Sequence, residues 1–338
     1  MRDNALLQVR DLRIDLMLSG GRIGVIDGVT FDVMPGEVLA LVGESGSGKS
    51  VTALSILRLL PRELKIASGD VLFRAAPGGP QVNLARLPAD GAEMRRIRGN
   101  RIAMVFQEPM SSFSPLHTIG NQIGDVLRLH RGLSGAALRA TSSELLDRVG
   151  ISDPGRAIDR YPHEFSGGMR QRAMIAKALA CDPALLIADE PTTALDVTIQ
   201  AQVLDLLRRL QSDLGMAIIF ITHDLGVVAQ MADRVAIVYT GKIVETGTVR
   251  DIFKRPKHPY TGNLLQAVPK LGRLRHWRDL HPIQGAVPSL YNLPSGCTFH
   301  PRCNAVISGL CEREFPLPRD VGAGHNVSCH LFVEARPA

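Results

Sequence analysis

The sequence predicts an α/β fold built around a largely parallel sheet. Three observations carry this. Short apolar, β-branched runs alternate with segments of helical periodicity. One run leads directly into a glycine-rich phosphate-binding pattern, Gly43-Glu44-Ser45-Gly46-Ser47-Gly48-Lys49-Ser50. Another, Leu185-Leu186-Ile187-Ala188, ends in two acids, Asp189 and Glu190.

Residues 38–43 read as a buried strand that enters the glycine-rich loop. Gly43-x-x-x-x-Gly48-Lys49-Ser50 fits the P-loop pattern. Its glycines let backbone N–H groups turn onto phosphates, and Glu44, Ser45, Gly46 and Ser47 complete the cradle. Lys49 is placed to reach the β/γ-phosphates and Ser50 to ligate Mg2+, with Val51 in the first turn of the helix that follows. That helix carries Leu54, Leu57 and Leu60 on one side and stops at Pro61. Residues 74–90, rich in Pro, Gly and Ala, read as a surface loop.

Gln107 follows a strand-like run, where its amide is placed to contact Mg2+ or the attacking water. Two helical patterns come next, one on Ile119, Ile123, Val126 and Leu127, the other on Leu138, Leu145, Leu146 and Val149. They predict an all-helical insert between Gln107 and Ser166. Ser166-Gly167-Gly168 then opens an apolar-patterned helix that runs to about Ala180. A hydroxyl, backbone N–H groups and a helix N-terminus make this turn a second device suited to phosphate.

Asp189 is placed to hold Mg2+, and Glu190 to polarise a water that attacks the γ-phosphate. Ala194-Leu195-Asp196 follows closely. A helix on Val203, Leu206, Leu207, Leu210 and Leu214 ends at Gly215 as its C-cap. His223 ends the strand at 217–221, where it can donate to a γ-phosphate. A further short strand is read at 235–239. Singly, these residues have plainer readings: a loop amide, a helix N-cap aspartate, a strand-end histidine. Their order behind one phosphate loop is what gives them weight.

In that order the motifs resemble the nucleotide-binding subunits of ABC transporters. Residues 43–50 match the Walker A motif, Gln107 the Q-loop and Ser166 to Arg170 the signature. The run ending at Asp189 and Glu190 matches Walker B, Ala194 to Asp196 the D-loop, and His223 the switch histidine. Within that family the chain is similar to the oligopeptide/dipeptide permease ATPases. Tyr161-Pro162-His163-Glu164-Phe165, Thr192-Thr193-Ala194-Leu195-Asp196-Val197-Thr198, His258-Pro259-Tyr260-Thr261 and Gly296-Cys297-Thr298-Phe299-His300-Pro301-Arg302-Cys303 carry this likeness.

The resemblance implies an ABC-type domain: a RecA-like core with an antiparallel β subdomain and a helical subdomain. It places that domain at 1–253, with the helical subdomain about 108–165, and a small Pro-rich, Cys-containing extension at 254–338. It further implies ATP and Mg2+ as cofactors, and an ATPase that energises import of peptides or related solutes. Glu190, His223 and Gln107 would be catalytic, with Ser50, Gln107 and Asp189 around Mg2+. Ser166, Gly167, Gly168 and Asp196 would cover the nucleotide held by a second ATPase in a head-to-tail dimer. The expected partners are two transmembrane permease subunits and, indirectly, an extracytoplasmic solute-binding protein. The expected place is the cytoplasmic face of a bacterial inner membrane. There is one departure: the family usually stacks adenine on an aromatic upstream of Walker A, and here no Phe, Tyr, Trp or His precedes Phe31. Leu16 stands near that place, with Ile23 and Val25 as further aliphatic contacts.

Composition sets bounds. The 338 residues are 45% hydrophobic and 21% charged, which suits a globular protein of about two domains. No run approaches the roughly 18 apolar residues of a membrane span, and no signal-peptide apolar core follows the N-terminus. Net charge of +6 permits nucleic acid, so a soluble ABC ATPase acting on nucleic acid or ribosomes is the alternative reading. Against it, the chain lacks a long coiled-coil insertion and a tandem ATPase unit, and no nucleic-acid partner is expected. The Ser-Gly-Gly turn and His223 argue against a GTPase or kinase. Prolines recur after Phe253, and basic residues crowd 254–280, which reads first as a solvated tail.

Four of the five cysteines, Cys297, Cys303, Cys311 and Cys329, fall in the last 42 residues. In a reducing compartment such clustering favours metal over disulfide. The resemblance points to a [4Fe–4S] cluster, with Zn2+ as the alternative.

Overall fold

The computed structural model describes residues 2, 4–76, 78–107, 112–193, 195–267 and 283–332. Twelve strands are found among them: β1 (Leu7–Leu18), β2 (Gly21–Val33), β3 (Val38–Val42), β4 (Leu64–Phe73), β5 (Val82–Asn83), β6 (Ile102–Val105), β7 (Leu185–Asp189), β8 (Ala217–Thr222), β9 (Arg234–Tyr239), β10 (Lys242–Thr248), β11 (Arg319–Asp320) and β12 (Asn326–Val327). They form two sheets, one in the order β2-β1-β4-β5 and one in the order β11-β12-β10-β9-β3-β8-β7-β6.

The larger sheet is parallel from β9 through β3, β8 and β7 to β6, and antiparallel at β10 and beyond. Every residue of β3, β7 and β8 is buried. This is why those strands read as unbroken apolar runs: both faces are covered. Leu39 and Leu41 of β3 point into a core shared with the smaller sheet and the helix Lys49–Ile56. Ala40 and Val42 point to the other face. The smaller sheet is the antiparallel β subdomain that the resemblance implies.

The helical insert forms as its periodicity predicts. Helices Ile119–Arg131 and Gly135–Arg148 bury Ile119, Ile123, Leu127, Leu145 and Leu146. Thr118 caps the first by accepting from the Asn121 N–H at 3.3 Å, and Gly132 ends it in the left-handed conformation. Gly215 likewise ends the helix Val197–Leu214 with φ 61°. The stretch 74–90 is more ordered than a plain loop. The Asn83 amide oxygen accepts from the N–H groups of Val71 and Ala85, which holds β5 against β4 and buries Leu84.

The described part of 254–338 is built into the nucleotide domain. β12 adds to the edge of β10, and Tyr260 and Phe299 share one core with Val42 and Tyr239. The basic residues at 270–278 lie outside the described residues. No helix among the described residues is long and apolar enough to cross a membrane.

Candidate functional site

The phosphate loop leaves the centre of the sheet, at the C-terminal end of β3. Its glycines are required by space. A Cβ on Gly43 would strike the carbonyl oxygen of Val238, and one on Gly48, at φ 100°, would strike Ile26. Lys49 is nearly fully buried, and its ammonium donates to the carbonyls of Gly43 (2.8 Å) and Glu44 (2.9 Å) and to Ser47 Oγ (3.3 Å). Burial lowers its pKa, opposed by the charges of Glu190, Asp189 and Glu44. Ser45 and Gly46 are exposed at the tip, while Val51 packs into the core between the sheets.

Ser50 Oγ donates to Asp189 Oδ1 at 3.1 Å, joining the start of the helix after the loop to the end of β7. A hydroxyl and a buried carboxylate side by side are suitable oxygen donors for Mg2+. Burial raises the Asp189 pKa, opposed by the Ser50 bond, and the charge of Glu190 raises it further.

Glu190 is the meeting point of three loops. Gln107 Nε2 donates to its Oε2 at 2.9 Å, Thr193 Oγ1 donates to the same oxygen at 3.0 Å, and His223 Nδ1 lies 3.1 Å from its Oε1. Glu190 has φ 45°, a left-handed conformation that costs a non-glycine residue of order 1–3 kcal/mol. Its N–H is held by the carbonyl of Ile221 at 2.9 Å, next door to the strand end that carries His223. Partial burial pushes its pKa up, but the bonds from His223 and Thr193, with the charges of His223 and Lys49, outweigh this and hold it below the usual carboxylate range. Thr193 was read from the sequence only as part of the run at 192–198 and was not placed at Glu190.

The Ser166 turn lies elsewhere in the chain's architecture. Ser166 Oγ caps the helix Gly167–Ala178 by accepting from the Met169 N–H at 3.3 Å. Gly168 presses on the helix Val197–Leu214, where a Cβ would come within 2.8 Å of Ile199. Asp196 caps that second helix, accepting from the Ile199 N–H at 2.9 Å. Among the described residues, neither Ser166 nor Asp196 bonds to the chain's own phosphate loop. Ser166 and Gly167 are exposed to solvent. Ala194 lies outside the described residues.

The four C-terminal cysteines are free thiols close enough for their charges to influence one another. The N–H groups of Ala305 and Ile307 donate to the sulfurs of Cys303 (3.4 Å) and Cys311 (3.3 Å). Burial pushes Cys297 and Cys329 up to about 11, which keeps them as neutral thiols. Among the described residues, however, no group of three or more His, Cys, Asp or Glu is arranged to hold a metal ion. The expected ligands for [4Fe–4S] or Zn2+ thus lie near one another without forming such a group.

Sequence reasoning also missed Tyr260 and Arg302 as neighbours of the phosphate loop. The Glu44 N–H donates to Tyr260 Oη at 3.0 Å, and Arg302 forms an ion pair with the Glu44 carboxylate at 2.7 Å.

Known proteins match this chain over most of its length. Residues 26–193 match the family described as ABC transporter, and residues 244–311 match the oligopeptide/dipeptide transporter C-terminal region. A Brucella melitensis biotype 1 protein whose name describes a peptide import ATP-binding protein is 52% identical over 339 residues, covering 99% of both chains. The dipeptide transport ATP-binding protein DppD of Bacillus subtilis is 47% identical, over 96% of this chain and 94% of its own. Among solved structures, the ATP-binding cassette MJ0796, a dimer in a post-hydrolysis state with ADP and Pi, superposes with a TM-score of 0.62. It is 27% identical and covers 72% of this chain and 99% of its own. CbiO1 of Clostridium perfringens gives 0.60 at 26% identity, over 75% of this chain and 92% of its own.

Proposed function

The chain belongs to the ATP-binding subunits of ABC transporters, in their oligopeptide/dipeptide branch, and from that premise we propose how it works. It is the ATP-hydrolysing subunit of a peptide importer. The observation that carries the mechanism is the Glu190 carboxylate, held by Gln107, Thr193 and His223 beside the buried pair Ser50 and Asp189.

Lys49 and the N–H groups of residues 43–50 bind the triphosphate. The ammonium exchanges its carbonyl partners for phosphate oxygens, and the low-dielectric site strengthens that attraction. Ser50 and Asp189, with Gln107 nearby, would hold Mg2+, which would supply positive charge to neutralise the phosphates. Glu190, ionised at neutral pH, takes the proton of the attacking water. Gln107 and His223 keep the carboxylate pointed at that water, and His223 is exposed enough to reach the γ-phosphate as well.

Ser166, Gly167 and Gly168 serve a different nucleotide. They stand at an exposed helix N-terminus, which favours an anion from outside the chain. We assign that anion to the γ-phosphate held by a second ATPase, a copy or a paralogue, in a head-to-tail dimer, with Asp196 at the same face. Two permease subunits complete the importer and hold this chain on the cytoplasmic face of the membrane. An extracytoplasmic solute-binding protein acts through them. An apolar cleft of about 220 Å³, lined by Leu57, Leu59, Met104, Phe106, Val126 and Met174, supports a permease contact beside Gln107.

The [4Fe–4S] or Zn2+ reading of Cys297, Cys303, Cys311 and Cys329 stands apart from hydrolysis, and no step runs through it. What supports it is four adjacent thiols with two N–H···S bonds. Metal analysis of anaerobically purified protein decides it: stoichiometric iron or zinc supports the site, and metal-free protein in which all five thiols titrate after unfolding removes it.

The mechanism is tested by Glu190→Gln. The variant is expected to bind ATP normally while turnover falls about 10²–10⁴-fold, the range for loss of a general base. Near-parental turnover would take Glu190 out of that role.

A further inference from the structure

Glu44 is gripped on three sides. Its carbonyl accepts the Lys49 ammonium at 2.9 Å, and its N–H donates to Tyr260 Oη at 3.0 Å. Its carboxylate accepts two parallel bonds from Arg302, Nη1 to Oε2 at 2.7 Å and Nη2 to Oε1 at 3.0 Å. Arg302 lies 258 residues further along the chain. Two of the three grips therefore come from the C-terminal region and one from the loop itself.

Arg302 is placed with little freedom. Its side chain is only 4% exposed. Nε donates to the Gln284 carbonyl at 3.0 Å, Nη1 also approaches Tyr239 Oη at 3.4 Å, and the guanidinium lies over the Tyr239 and Phe299 rings at 5.9 and 6.0 Å. Tyr239, Tyr260 and Phe299 pack on one another with centroids 4.6–5.3 Å apart. A planar fork backed by two rings, themselves packed on Tyr260, fixes the direction of its partner as well as its distance. Arg302 acts through Glu44, because both of its terminal nitrogens are already committed there.

We propose that Arg302 is a positioning residue for the phosphate loop, its bidentate bond to Glu44 setting the backbone from Gly43 to Lys49 before nucleotide arrives. This rests on the reading of residues 43–50 as the triphosphate cradle. Glu44 is half-buried at the surface of the loop, so without Arg302 it turns to solvent. The carbonyl that anchors Lys49 then moves with it. Pre-organisation of the cradle is lost, and binding bears the ordering cost.

The test uses the full chain and equilibrium binding of a non-hydrolysable Mg-ATP analogue. Arg302→Ala and Glu44→Gln are each expected to weaken binding at least about fivefold, with the double variant no worse than either, since both remove one coupling. Arg302→Gln serves if the alanine variant does not fold, and Arg302→Lys, with charge but no fork, falls between. In steady state the loss is expected mainly in KM rather than kcat. A smaller change in affinity, or effects that multiply in the double variant, overturns the proposal. So does a lowered Tm with unchanged affinity, which would make Arg302 only an anchor for its own segment. Lys49→Ala is measured in parallel: normal binding there would bring down the cradle reading itself, and this proposal with it.

Discussion

The Gln107 side-chain amide donates to the Glu190 carboxylate at 2.9 Å, across 83 residues of sequence. Gln107 follows β6 at the sheet edge, and Glu190 follows β7, the strand beside it. The parallel pairing of these two strands brings the amide to the acid. His223, following β8 on the other side of β7, completes the arrangement at 3.1 Å. Three adjacent parallel strands thus deliver three polar groups to one point at their C-terminal ends, the edge where open α/β sheets bind ligands.

His223 is expected to set the acid limb of the activity profile. The Glu190 pKa lies below the usual carboxylate range despite burial, because His223 and Thr193 bonds and nearby positive charge favour the ionised form. The proposed base is therefore ionised at neutral pH and is lost only as pH falls through that lowered value. His223→Ala removes one of the lowering contributions. Its kcat is expected to fall about tenfold or more, and its acid limb to move to higher pH. A pH profile of kcat checks this; an unmoved limb would separate His223 from Glu190 in solution.

Ser166→Arg is expected to act across a dimer interface. A bulky cation at the exposed helix N-terminus opposes the helix dipole and blocks approach of a second nucleotide site. Hydrolysis should fall strongly while ATP binding at Lys49 stays near parental. In mixed dimers with Lys49→Ala, activity depends on which chain carries which substitution. One intact site is expected when the two substitutions are on different chains, since both then fall in the same composite site, and none when one chain carries both; the readout is the ATPase rate of defined mixtures.

Leu16→Tyr addresses the adenine. Leu16 lies in β1, paired with Ile23 of β2 and Leu64 of β4, and is half-buried among aliphatic neighbours. A ring there offers a stacking face worth about 1 kcal/mol, or roughly fivefold in ATP affinity. Competition between ATP and GTP for the variant checks it: tighter ATP binding is expected, and unchanged affinity would place the adenine elsewhere.

Much of the site was legible in the sequence because its chemistry is local. Gly43, Gly48, Lys49 and Ser50 must stand at fixed spacing, since a loop that wraps phosphate leaves no other backbone geometry. β3, β7 and β8 were legible because strands covered on both faces must be apolar throughout. The capping role of Asp196 was legible too, as a side chain that bonds to the N–H three residues on, whereas Ser166, read only as a phosphate-binding hydroxyl, caps its helix in the same way. β5 was not, because its support is the Asn83 side chain bonding to Val71 and Ala85, a contact with no periodic signature.

The sequence by itself determined the fold class, the order of the motifs and the candidate reacting groups, because each rests on spacing within one loop, strand or helix. Only the tertiary structure decided which groups meet. Arg302 and Tyr260 reach Glu44 because β9 and the C-terminal region fold back beside β3, and Gln107, Thr193 and His223 reach Glu190 because β6, β7 and β8 are neighbours. The cysteines show the same division: their clustering was plain in the sequence, whereas the arrangement of the four sulfurs was set by packing and backbone hydrogen bonds. Sequence spacing specifies local geometry, and strand order specifies contact between residues far apart in the chain.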